Sequence, residues 1–289
     1  MDRDLEKRIA LLAADRESGA SEILAAAIAI LRDALTAQTD VGEVARALPR
    51  AQPSMAPVWN AAAAALKGEL DRFAQRAARA PDSIARFATE ILETGLPPDA
   101  SLRIVTLSYS GTVAYVLERI ARRRSVHVAC SEGRPGLEGR RLASRLAAAN
   151  IAVTYYSDAA IGQALGSADA VVVGADAVAA GWFLNKSGTG MLAATAAQRG
   201  VPMYVAAGRD KFVGSAIAAR LQLSEGEPRE LWEEPPGRVI VRNPYFEVTS
   251  LDAVAAVISD VGMLGAAAVS DLCAGLDREN SGAWPPHER

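Results

Sequence analysis

The apolar residues of this chain change their period once, at 95–99 (Gly-Leu-Pro-Pro-Asp), and that change limits the folds open to it. Before the break, Ile9, Leu12, Ile23, Ala27, Ile30, Leu31 and Leu35 recur at helical spacing, and Val58, Ala62, Leu66, Leu70 and Phe73 continue the pattern. Alanine, the best helix former, is abundant there. Pro81-Asp82-Ser83 reads as the start of a further helix running to Glu93. After the break, short apolar runs at 103–107, 125–130, 152–156, 170–173 and 202–206 alternate with helical patterns such as 112–121 and 139–149. Strands alternating with helices predict a parallel sheet covered on both faces. The expected class is α/β, with a helical N-terminal domain at 1–98, a parallel-sheet domain at 99–273 and a disordered tail at 274–289.

Composition removes several kinds of function. A formal net charge of −3 over 289 residues supplies no basic field for a polyanion, so no direct nucleic-acid partner is expected. No apolar stretch is long enough to span a bilayer, so no membrane role is expected and a cytoplasmic location is. Two cysteines, Cys130 and Cys273, make neither a disulfide framework nor a zinc cluster. Of the two histidines, His287 lies in the polar tail, and His127 sits in an alternating run that favours a structural role. Proton transfer would fall to carboxylates, lysine, hydroxyls or water. No metal or cofactor is expected, and the G-x-G-x-x-G dinucleotide pattern does not follow the first strand.

In open parallel sheets, ligands bind beyond the carboxyl ends of the strands. The first strand runs into Ser108-Tyr109-Ser110-Gly111-Thr112, which brings hydroxyls, a glycine and helix N-terminal amides to one place. A plain capped helix explains those residues equally well. The second strand ends at 131–139, where glycines and a proline shape the backbone around Arg134, a side chain suited to phosphate or carboxylate if it is not simply solvated. The fourth ends at Gly174-Ala175-Asp176, a carboxylate either poised for acid–base work or capping a helix. Asn185-Lys186-Ser187-Gly188-Thr189-Gly190 then leads into a helix as a second cradle for negative charge.

Taken with Asp15-Arg16-Glu17-Ser18-Gly19-Ala20-Ser21 and Asn243-Pro244-Tyr245-Phe246-Glu247-Val248-Thr249, these motifs resemble a known superfamily. It unites the alpha, beta and delta regulatory subunits of translation initiation factor 2B with ribose-1,5-bisphosphate isomerase and methylthioribose-1-phosphate isomerase. The resemblance implies a helical domain packed on a Rossmann-like domain, a homodimer or higher assembly, and a sugar-phosphate pocket between the domains. The isomerases convert a 1-phosphorylated aldose into a ketose 1-phosphate, using a cysteine after the first sheet strand and the aspartate of Gly-Ala-Asp. The aspartate matches Asp176, but Ser108 stands in the place of the cysteine. Gln52 stands where isomerases have an arginine.

Two functions are thereby implied. One is an isomerase-related metabolic protein with Asp176 and Ser108 as its catalytic pair. Gly19, Ala20, Gln52, Ser110, Gly111, Thr112, Arg134, Asn185 and Lys186 would then hold the substrate. The other is a non-catalytic subunit, resembling the translation-factor alpha subunits in its Ser-Tyr-Ser stretch, that senses a sugar phosphate or nucleoside monophosphate and regulates a protein partner.

Overall fold

The computed structural model describes residues 2–97, 99–223 and 225–280. Five helices come first: α1 (Arg3–Ala14), α2 (Ala20–Thr36), α3 (Val41–Ala51), α4 (Ala56–Leu66) and α5 (Leu70–Leu92). Ile23, Ala27, Leu31, Val44, Leu48, Val58, Ala61 and Ala62 form their shared core. Helix α4 is buried on almost every face, from Ala56 to Ala65, because a helix apolar all round needs neighbours all round.

The sequence predicts a new helix at Pro81, yet α5 runs through it without interruption. The apolar stripe Phe73, Ala80, Ile84, Ala88 and Leu92 continues along one face, and its burial outweighs the single backbone hydrogen bond that proline removes. The C-terminal half of α5 packs into the core of the sheet layer with Val113, Leu117 and Ile104, so the helical and sheet layers share this element.

The second part begins with β1 (Leu102–Thr106), α6 (Gly111–Ala121), β2 (Val126–Ser131), α7 (Glu138–Ala148), β3 (Ala152–Tyr156) and β4 (Ala170–Val173). It continues with β5 (Ala177–Ala179), β6 (Trp182–Lys186), α8 (Thr189–Gln198), β7 (Met203–Ala206) and the short α9 (Ser215–Ala218). Strands β8 (Phe246–Ser250), β9 (Ala256–Ser259) and β10 (Gly262–Leu264) precede α10 (Ala266–Asn280). The main sheet has the order β10-β9-β7-β4-β1-β2-β3 and is parallel except for β10. Its central strands are buried Val- and Ile-rich runs, as expected of a sheet covered on both faces. Among the described residues no helix is long and apolar enough to cross a membrane.

The chain winds from β1 to β2 and β3 on one side, then returns to place β4 on the other side of β1. The crevice between β1 and β4 is therefore the topological switch point, where the two connections diverge and leave room for a ligand. A second, antiparallel sheet, β5-β6-β8, stands beside it. Sequence patterning missed this sheet, and it places Asn185 and Lys186 on a strand rather than in a loop. Helix α10 continues to Asn280, beyond the expected end of ordered chain at 273, because Val269 and Cys273 anchor it in the core. His127 fits its structural reading, with Nε2 lying 2.8 Å from Thr154 Oγ1 on the neighbouring strand. His287 and the rest of the expected tail after Asn280 lie outside the described residues.

Candidate functional site

Strand ends and helix starts surround the switch point. The resulting cleft, open to solvent, lies between the helical layer and the carboxyl edge of the sheet. The first turn of α2 contributes Gly19 and Ala20, the turn before α4 contributes Ser54 and Met55, and the start of α6 contributes Ser110 and Gly111. Each helix directs the partial positive charge of its N-terminus toward this space, an arrangement suited to an anion. Ser110 caps α6 by accepting a hydrogen bond from Val113 N at 3.3 Å. Ser108, buried just after β1, has φ of 60°, an uncommon conformation for a residue with a side chain and one that concentrates at functional sites.

Gly174 ends β4 where Ser110 leaves no room for a side chain. A Cβ there would lie 2.5 Å from Ser110 Oγ and 2.8 Å from its Cβ. Gly174→Ala should displace the cap and lower unfolding free energy by about 1–2 kcal/mol, which denaturant titration would measure.

Asp176 forms the floor of the cleft. Its backbone is held on both sides: its N–H donates to Leu184 O at 2.8 Å, and its carbonyl accepts from Ala56 N at 3.1 Å. Helix α4 and strand β6 therefore fix its position. Desolvation pushes the Asp176 carboxyl up to about 6, against the opposing pull of Lys211 and then Lys186, with Glu138 reinforcing the rise. None of the described residues donates a hydrogen bond to the carboxylate, which is half-buried and faces the cleft.

Lys186 lies opposite with Nζ 2.5 Å from Glu138 Oε1 and 4.7 Å from the centre of the Tyr245 ring. Glu138 Oε2 is buried and has no hydrogen-bond partner among the described residues. Gly133 and Gly136 make room for this carboxylate, since a Cβ at either would come within 2.8 Å of its oxygens. Asn185 donates from Nδ2 to Thr189 Oγ1 at 2.9 Å, and Thr189 in turn donates to the Lys186 carbonyl at 2.6 Å. These bonds lock the start of α8 against β6.

Of the residues expected from sequence, Asp176, Ser108, Gly19, Ala20, Gln52, Ser110, Gly111, Asn185 and Lys186 line the cleft together. Gln52 has a different engagement from the one expected: its amide nitrogen donates to Leu12 O at 2.6 Å and Asp15 O at 3.3 Å, securing the loop before α2. Arg134 and Thr112 are not brought in. The glycine-rich loop turns Glu138 inward and leaves Arg134 exposed, with its backbone N–H on Asp158 Oδ2 at 2.8 Å and its guanidinium near Glu230 O. Thr112 is buried on the side of α6 that faces α2 and α5.

Sequence reading missed Lys211 and the inward role of Glu138. Lys211 follows β7 by five residues at the same sheet edge, so the strand-end rule applied to 202–206 would have found it. Glu138 was hidden beside a more conspicuous arginine.

Fold and cleft together define a class: an α/β protein whose parallel sheet carries, at its switch point, a desolvated aspartate and two lysines beneath a helical layer. The family model described as the Initiation factor 2 subunit family matches residues 4–266, and the chain belongs to that family. It is 30% identical over 242 residues to a Pyrococcus furiosus protein named as eIF-2B subunit 2-like, covering 80% of this chain and 83% of that one. It is 29% identical over 198 residues to a ribose 1,5-bisphosphate isomerase from Methanocaldococcus jannaschii, a match covering 67% of this chain and 63% of the enzyme. The crystal structure titled as translation initiation factor eIF-2B from Pyrococcus horikoshii superposes with a TM-score of 0.77 at 24% identity, covering 92% of this chain and 98% of that one.

Proposed function

We propose that the cleft binds a 1-phosphorylated pentose and converts it to the ketose 1-phosphate, with Asp176 as the group that takes a proton from substrate. The observation that carries this reading is Asp176 itself: desolvated, raised to about 6, without a hydrogen-bond donor among the described residues and facing an open cleft. Such a carboxylate is ionised at neutral pH yet basic enough to accept a proton. The helix starts at Gly19, Ser110 and Gly111, with Lys186, supply charge complementary to phosphate, while Asn185 and Ser108 offer hydrogen bonds to sugar hydroxyls. Relatives with isomerase names support the reaction class.

The phosphate on C1 blocks ordinary aldehyde formation. Ring opening therefore leaves C1 short of electrons, and the hydrogen on C2 moves there with its electron pair. Loss of the 2-hydroxyl proton to Asp176 completes the carbonyl at C2. No thiolate takes part: Cys130 and Cys273 are buried away from the cleft, and desolvation raises each to about 11.

That absence favours one alternative, a non-catalytic subunit that holds a sugar phosphate or nucleoside monophosphate and signals its presence to a protein partner. The two separate cleanly by NMR of the protein mixed with ribose 1,5-bisphosphate or methylthioribose 1-phosphate, alongside thermal denaturation. Conversion of a stabilising aldose phosphate to a ketose phosphate is the expected result. Stabilisation with the sugar unchanged would replace the isomerase with the sensor. Assembly as a dimer belongs to the same proposal. Exposed Trp232, Val239 and Ile240 supply apolar surface for it, and sedimentation of the same sample would measure it.

A further inference from the structure

Away from the cleft, the outer face of α5 gathers positive charge that the fold does not use. Arg72, Arg76 and Arg79 recur there at helical spacing and are exposed, and the half-buried Arg209, in the turn after β7, lines the same shallow trough. Like charges three and four residues apart on a helix destabilise it unless something offsets them. The nearby acids are already engaged: Asp71 with Arg32, Asp82 with Tyr115, and Asp260 with Arg209. Among the described residues no carboxylate pairs with Arg72, Arg76 or Arg79. The Arg76 guanidinium lies 5.6 Å from the centre of the Phe73 ring, a contact that steadies it without matching its charge. Across the trough Arg209 is held in place, its backbone N–H donating to Asp260 Oδ1 at 2.8 Å and its Nε to Oδ2 at 2.9 Å. Gln75 and Ser83 add an amide and a hydroxyl, and Ala80 is the one apolar residue among those described that line the trough.

We infer that this trough is a second anion site, separate from the cleft, and that it takes a compact di- or triphosphate. Four arginines against one aspartate leave a surplus of three positive charges in its lining. The planar guanidinium presents paired donors that match phosphate oxygens, which a diffuse lysine patch would not. From Arg72 to Arg79 the helix rises about 10 Å, a span that long side chains converging on one trough narrow to two or three linked phosphates. No aromatic side chain among the described residues lines the trough, so a nucleotide base has no face to stack on. With so little apolar lining, a peptide would find charge but nothing to bury. The ligand is therefore recognised through its phosphates. Arg209 and Lys211 stand at the two ends of one three-residue turn, so the trough and the cleft back onto each other while drawing on different residues. The assignment holds whether the cleft converts its sugar or only senses it.

The test is calorimetric titration of the full chain with tripolyphosphate, pyrophosphate, ADP and citrate at low ionic strength, where exposed charges are least screened. Combining Arg72→Gln, Arg76→Gln and Arg79→Gln should weaken one tripolyphosphate site by about 100-fold or more. The melting temperature of that variant without ligand should hold or rise, since repulsion along α5 has been relieved. Lysine at the same three positions keeps the charge but removes the forks, and should weaken binding by about tenfold. Pyrophosphate and ADP should bind within about threefold of each other, and citrate about tenfold more weakly than tripolyphosphate. Unchanged affinity in the glutamine variant overturns the site. Undiminished binding by the lysine variant, or citrate bound as tightly as tripolyphosphate, reduces it to a diffuse field and overturns phosphate recognition. ADP bound more than about tenfold tighter than pyrophosphate contradicts recognition through phosphate alone. Ribose 1,5-bisphosphate should bind the glutamine variant as it binds wild type. Parallel loss of both ligands would place the anion in the cleft and remove the second site.

Discussion

Asp176→Asn is expected to abolish turnover and to make the protein harder to unfold at neutral pH. The activity loss follows from removing the carboxylate proposed to accept the substrate proton, and should reach about 100- to 10,000-fold in kcat. The stability gain follows from linkage. Burial raises the folded-state value of this carboxyl from 3.8 to about 6, so the fold disfavours the ionised form. That penalty is absent below the unfolded value, grows as pH rises between about 4 and 6, and is complete above the folded value. Asparagine never incurs it. The cleft admits some solvent to the carboxylate, so the variant should gain about 1–3 kcal/mol at pH 7 and almost nothing at pH 4. Denaturant titrations at the two pH values would measure the difference. In wild type, kcat/KM should rise as pH increases through about 6. An asparagine variant that keeps its turnover, or that is less stable at pH 7, would contradict the assigned role.

Lys186→Met carries the second large effect, in the opposite direction. Glu138 depends on Lys186 at 2.5 Å for its counter-charge, and its other oxygen already lacks a partner among the described residues. Removing the lysine leaves an uncompensated carboxylate beneath the glycine loop, at a cost of about 3–5 kcal/mol. Adding Glu138→Gln should recover much of that loss, because it removes the stranded charge. Affinity for a phosphorylated sugar should remain poor in both proteins. If the double variant regained normal affinity, Lys186 would have no part in binding. If Lys186→Met unfolded at the same denaturant concentration as wild type, the pair would have no structural weight.

The lysine pair and the aspartate differed in how readily they could be read from the chain. Asp176 was legible because it ends a valine run, and a strand end in a parallel sheet points to the ligand edge. The same rule located Ser108, Ser110 and Gly111. It misassigned the 131–139 loop, since residue type alone favoured Arg134 as the anion ligand, whereas the space left by Gly133 and Gly136 admits Glu138. Gln52 was visible as a polar residue in a family motif, but its attachment to the carbonyls of Leu12 and Asp15 depends on a contact across 40 residues of sequence. Pro81 misled because local backbone cost is weaker than a long apolar stripe packed on both cores.

Period and punctuation along the chain were therefore sufficient for the α/β class, the change from helices to alternating strands, and the sheet edge where ligands gather. These are local properties, set by a few neighbouring residues at a time. Which side chain faces the cleft and which charge is already matched depend on segments far apart in sequence. Lys211 and Asp176 line one cleft with the help of α4, which holds the Asp176 carbonyl through Ala56 N and the carbonyls flanking Lys211 through Asn60. Burial and the electric field at a titratable group are sums over everything packed around it, and packing exists only once the chain has folded.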